Sequence, residues 1–415
     1  MNPRAAIVFA LTVATVATAC SSSPQPIRIG VLYPLTGSQG AGGSDEYRGV
    51  RLAMDLVNAD GGIRGHQIQL DAIDVPGPDA ASGAVDTLAA RGIRFIVGSY
   101  GSTISQPAAT EAARRGLLFW ETGAVGSMAP SAGDRLFFRV APGGSVLGRS
   151  AVSFIAGQLA PLFHRAPASI RFAVANVDDA FGNAVGGGAV EEIGALAVPF
   201  AGQFRYDALH LDAPAVIKRI AASKPDVLFV AAYMQDGIAL RREMVRQHLP
   251  LLANIGTSSS YCMPPFGAAL GRDAVGLFAS DKPDSDALNT AGLTPAGRSL
   301  LERARAAYRS RYQREMSAPA LAGFSAAWAL FHTVMPAAAH MTPEAVAAAA
   351  LQARIPLGGL PNGSGLELTA PGTIDPGANV RAASVIWEWV GVNQRAVVWP
   401  PQFATAQIDP ISIAP

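Results

Sequence analysis

Cysteine is almost missing from this chain, with only Cys20 and Cys262 in 415 residues. One disulfide is the most they can form, which excludes a disulfide scaffold, and no Cys/His cluster has the spacing of a zinc site. The six histidines (His66, His164, His210, His248, His332, His340) are too scattered for a sequence-local metal motif. Neither sign of charge is in excess: 32 basic minus 31 acidic side chains gives +1, no electrostatic footprint for nucleic acid. Charged residues make up 15% of the chain and hydrophobic ones 50%, which excludes a largely disordered polymer. Lysine is scarce too. Lys218, Lys224 and Lys282 are the only ones, and beside so much alanine the arginine bias reads as coding bias rather than as an arginine-built surface. Enzyme signatures are also missing: no G-x-S-x-G elbow, no G-x-x-x-x-G-K-[ST] phosphate loop, no H-E-x-x-H. Gly186-Gly187-Gly188 falls inside a helical window rather than after a strand, so it is no dinucleotide fingerprint. No catalysis, cofactor or metal is expected.

Arg4 is followed by an apolar and small-residue run, Ala5 to Ala19. As a helix it would span about 22 Å, short of a ~30 Å hydrocarbon core, so residues 1–19 read as a signal peptide. The sequence Ala17-Thr18-Ala19-Cys20 resembles a bacterial lipobox, which implies a lipidated Cys20. Residues 20–26 then form a tether, and the mature protein is expected outside the cytoplasmic membrane, in the periplasm or at the cell surface, anchored rather than spanning. Ordinary cleavage after Ala19 is the alternative. If Cys20 carries lipid, Cys262 has no partner and reads as a lone buried thiol.

From residue 27 onward, short β-branched runs alternate with amphipathic windows. Ile27 to Leu32, Gln67 to Ala72, Phe95-Ile96-Val97 and Leu117 to Trp120 are strand candidates. Val50, Ala53, Met54 and Val57 make the buried stripe of the first helix. The pattern restarts with Arg171 to Ala175, Val198 to Phe204, Val227 to Ala231 and Leu251 to Asn254. Helical patterns follow at Ser299 to Tyr312, Leu321 to Ala337 and Pro343 to Gln352, and a late hairpin at Val385 to Trp389 and Ala396 to Trp399. The fold class is therefore α/β, with two lobes built on parallel sheets covered by helices.

The mature chain resembles the type I periplasmic binding proteins, in the leucine/isoleucine/valine- and amide-binding branch that feeds ABC importers. The matching residues are Ile29 to Gly37, Asn58 to Gly65, Val97 to Ser102 with Gln106-Pro107-Ala108, and Lys224 to Val227. The resemblance implies two doubly wound lobes joined by three crossover strands: 27–142 plus 278–378 as lobe 1, 143–277 plus 379–404 as lobe 2, and 405–415 as a tail. It implies a monomer that captures a small molecule, such as a branched-chain amino acid or an amide, and presents it to ABC permease subunits. A sensor signalling to a membrane partner on the same fold is the alternative.

Ser102 and Thr103 lie at a strand-to-helix turn, where unpaired N–H groups suit a carboxylate; helix capping by a Thr103/Gln106 box is the competing reading. The resemblance implies ligand contact at Ser102, at the aromatic Tyr100, at the backbone of Gly123, and at Phe181 and Tyr233 from the second lobe. Departures from the family pattern follow. Val125 replaces a hydroxyl, Ser258 stands near the place of a carboxylate, and Gly42 replaces an aromatic. An α-ammonium buried without an acceptor costs several kcal/mol. Either Glu121 becomes its partner, or the ligand is not an α-amino acid and enters a roomier pocket as an amide, a carboxylic acid or an aromatic compound. Glu121 as a surface or capping acid is the plainer alternative.

Overall fold

The computed structural model describes residues 24–126, 135–284, 288–373 and 375–409. The expected signal peptide and Cys20 lie outside the described residues, as do 410–415 of the expected tail. Two sheets organise the rest. The first has the order β2-β1-β3-β4-β5, with β1 at Ile27–Tyr33, β2 at Ile68–Asp74, β3 at Phe95–Gly98, β4 at Leu118–Glu121 and β5 at Phe137–Arg139. All four pairings are parallel. The second has the order β12-β11-β10-β9-β8-β6-β7. It contains β6 at Phe172–Val177, β7 at Phe200–Tyr206, β8 at Val227–Ala231, β9 at Ala253–Thr257, β10 at Phe278–Asp281, β11 at Val385–Gly391 and β12 at Gln394–Trp399. Its first five members run parallel, and the late hairpin β11–β12 adds on antiparallel.

A parallel strand covered on both faces needs apolar residues at every position. Val227 to Ala231 and Phe172 to Val177 are buried throughout, whereas the edge strands β2 and β7 are only partly covered. The helix Ala318–Trp328 is buried along its whole length against the helix Gly40–Ala59, and the Trp120 indole donates to Ala326 O at 2.9 Å. The segment Ala318–Ala337 is apolar and long enough to cross a membrane, yet most of it is enclosed by the first lobe's own core. Gly186 to Gly188 lie in the helix Ala180–Ala195, where a Cβ on Gly188 would stand 2.3 Å from Ser145 O. The triplet serves helix–helix packing.

The chain passes between lobes three times: after β5, after β10, and before β11. Phe278–Asp281 was expected to open the returning part of lobe 1. It pairs instead with β9, so the second crossing begins only after Asp281. The outer crossings are laced together. Arg139 N donates to Gly377 O at 2.8 Å, Asn379 N donates to Arg139 O at 3.0 Å, and the Asn379 amide donates to Val140 O at 3.0 Å.

Candidate functional site

A cavity of about 350 Å³ lies between the sheets, within the size range of small-molecule sites. The residues facing it stand just beyond the carboxyl ends of parallel strands, where open α/β sheets place their ligands. Tyr100 and Ser102 follow β3, Gly123 and Val125 follow β4, Phe181 follows β6, Tyr233 follows β8, and Ser258 follows β9. Seven of the eight expected ligand-contact positions thus share one space.

The eighth, Glu121, does not line it. Its side chain is enclosed, and its carboxylate accepts from Ser99 N at 2.9 Å, Gly123 N at 2.8 Å, Ala124 N at 2.7 Å and the Ser105 hydroxyl. Burial pushes its pKa up to about 7 against these donors. Glu121 shapes the loop that carries Gly123 and offers no acceptor to a ligand ammonium.

The helix Ser102–Arg114 begins two residues before the Thr103 box would place it. Gly101 is the N-cap, without a side-chain hydrogen bond, and Thr103 Oγ1 accepts instead from Gln39 Nε2 at 3.3 Å. Ser102 is 4% exposed, and its Oγ accepts from Gly126 N at 2.9 Å, which leaves the hydroxyl hydrogen to donate. Tyr233 and Phe181 pack with ring centroids 5.1 Å apart. The Tyr233 hydroxyl donates to Asp179 Oδ2 at 2.7 Å, so this residue offers the cavity a ring face while its proton is engaged elsewhere; burial and Asp179 raise its pKa. A Cβ on Gly42 would stand 2.3 Å from Tyr100 Cζ. The phenol therefore fills the room that the missing aromatic was expected to leave, and the pocket is not roomier on that side.

Among the cavity residues that escaped sequence reasoning are the two charged ones, Asp281 and Lys282 at the end of β10. Both are buried. Lys282 Nζ donates across the lobes to Gly123 O at 2.8 Å. Asp281 Oδ2 accepts from Cys262 Sγ at 2.7 Å, while Oδ1 has no partner. Behind the Gly123 loop lies Glu46, whose Oε1 accepts from Thr122 Oγ1 at 2.5 Å; burial pushes its pKa up to about 8, against the pull of Lys282. Rarity alone did not mark Lys282: of the three lysines beside 32 − 3 = 29 arginines, Lys218 and Lys224 are exposed.

Two α/β lobes with a polar-rimmed cavity between the strand ends define a two-lobed solute-binding protein. A family model described as periplasmic binding protein matches residues 26–370, and the chain belongs to that family. It is similar to a Leu/Ile/Val-binding protein homolog 8 of Brucella suis, 26% identical over 98% of each chain. Among solved structures it is similar to the leucine-binding protein LivK of Thermotoga maritima (TM-score 0.74, 15% identity, 89% of this chain and 97% of that one). Two further similar structures hold ligands. One is LivJ of Streptococcus pneumoniae in complex with isoleucine (TM-score 0.69, 18% identity, 90% of this chain and 100% of that one). The other is a solute-binding protein of Rhodopseudomonas palustris in complex with benzoate (TM-score 0.71, 16% identity, 93% and 99%).

Proposed function

We propose that the protein is the extracytoplasmic solute-binding component of an ABC importer, and that it captures a small organic ligand between two closing lobes. The supporting observation is one cavity lined from both sheets, with Ser102 and Gly123 on one side and Phe181, Tyr233 and Ser258 on the other. Neither rim alone encloses a molecule. A ligand touching both favours the closed arrangement by its differential affinity for it, and the closed form docks on permease subunits. The division into lobe 1 and lobe 2 serves this motion, and a lipid on Cys20 keeps the monomer beside its permease. The ligands of the similar structures, isoleucine and benzoate, support a small organic solute in the branched-chain amino acid, amide and related range.

The test is native mass spectrometry of protein purified from its own host, with solution scattering before and after ligand removal. A co-purifying small molecule whose removal enlarges the particle is expected, together with loss of uptake in a deletion strain. Intact uptake with a lost response to the solute replaces the importer reading by the sensor reading.

A further inference from the structure

We propose that this cavity selects a small carboxylate bearing no α-ammonium, because Lys282 supplies from the protein the cation that an amino acid would bring itself. The inference rests on the capture reading above and names its substrate class. Gly123 O is a backbone acceptor at the cavity wall and would suit a ligand ammonium. Lys282 Nζ already holds it at 2.8 Å, from a side chain 7% exposed that reaches across from the other lobe. The acid expected to take an ammonium, Glu121, is walled off with four donors of its own chain on its oxygens. Ser258 carries a hydroxyl and no charge.

The donors point the other way. The helix Ser102–Arg114 opens on the cavity with no side chain capping it; Ile104 N and Ser105 N donate back to Gly101 O, while Ser102 N and Thr103 N precede the first bonds of the helix. Ser102 keeps its hydroxyl hydrogen free because its oxygen already accepts from Gly126. A helix terminus, a hydroxyl and an ammonium facing one space make an anion site. Two acids stand near Lys282. Glu46 sits behind the Gly123 loop with its pKa pushed up to about 8, so its carboxyl is largely neutral at neutral pH. Asp281 lines the cavity, its pKa also raised by burial, and its Oδ1 is enclosed without a hydrogen-bond partner. The cationic side chain among the cavity-lining residues is therefore Lys282.

Calorimetry with matched pairs tests this: L-leucine against 4-methylpentanoate, its 2-hydroxy analogue as a third arm, and phenylglycine against phenylacetate and benzoate. The deaminated or hydroxylated acid is expected to bind about tenfold or more tighter than the amino acid of the same skeleton. Lys282→Met, checked for a cooperative thermal transition, is expected to lose about tenfold or more for the acids and little for the amino acids. An amino acid that binds more tightly than its deaminated partner overturns the inference while leaving capture intact, as does a folded K282M with unchanged affinity for the acids. A natural ligand identified by native mass spectrometry decides likewise: a carboxylate without an ammonium supports the inference, one with an ammonium overturns it. A protein that closes on no small molecule overturns both this inference and the capture reading.

Discussion

Where the first sheet meets the cavity it presents one ring, Tyr100, beside the backbone and small side chains of Ser102, Gly123 and Val125, backed by the enclosed carboxyls of Glu46 and Glu121. Where the second sheet meets it, larger side chains predominate, Phe181, Tyr233 and Lys282, with the hydroxyl of Ser258 among them. The first rim is set by hydrogen bonds behind the surface, so its shape depends on groups no ligand touches. The second is set by side chains at the surface, so its chemistry depends on groups a ligand meets directly.

The largest expected effect tests the hidden acids of the first rim. Glu46 holds its proton to about pH 8 when folded, against an ordinary 4.5. Between those values the folded protein keeps a proton that the unfolded chain releases, so stability falls as pH rises, by on the order of 5 kcal/mol at most. Thermal melts from pH 4.5 to 8.5 should show the decline, and Glu46→Gln should make it shallower, leaving the part owed to Glu121; a wild-type slope of the opposite sign would refute the assignment. Next comes Gly123→Ala. Its Cβ would stand 2.0 Å from Glu46 Oε2, and overpacking of this kind costs about 2–3 kcal/mol. Denaturant unfolding should show that loss, and calorimetry should show no ligand binding. On the second rim, Tyr233→Phe removes the bond to Asp179 and keeps the ring. It is expected to cost about 1 kcal/mol, with ligand affinity little altered. If affinity collapses, the phenol proton reaches the ligand after all. The smallest effect sharpens the helix start: Thr103→Ala should cost under ~0.5 kcal/mol, since Gly101 is the cap.

Much of the architecture was readable because buried parallel strands are continuous apolar runs. Val227 to Ala231 is a strand at the bounds its residues suggest, and Val50, Ala53 and Val57 are buried together on their helix. β10 was missed because Phe278-Ala279-Ser280-Asp281 holds only two large or apolar residues in a row. Its identity comes from pairing with β9 and β11 rather than from its own composition. Overlooking that strand hid Asp281 and Lys282, since a residue is recognised as cavity-facing only when it follows a recognised strand. The placements of Glu121 and Gly42 were unreadable for another reason. Each depends on a partner distant in sequence, Ser99 and Ser105 for the acid and Tyr100 for the glycine.

The lacing of the outer crossings has a mechanical consequence. With Arg139 bonded to Gly377 and Asn379 bonded to Arg139 and Val140, two of the three straps between the lobes cannot slide past each other. Sideways gliding of one half over the other would break that seam, while a swing about it leaves every stitch in place. Any movement of one lobe against the other is thereby steered toward opening and shutting, like a book on a sewn spine.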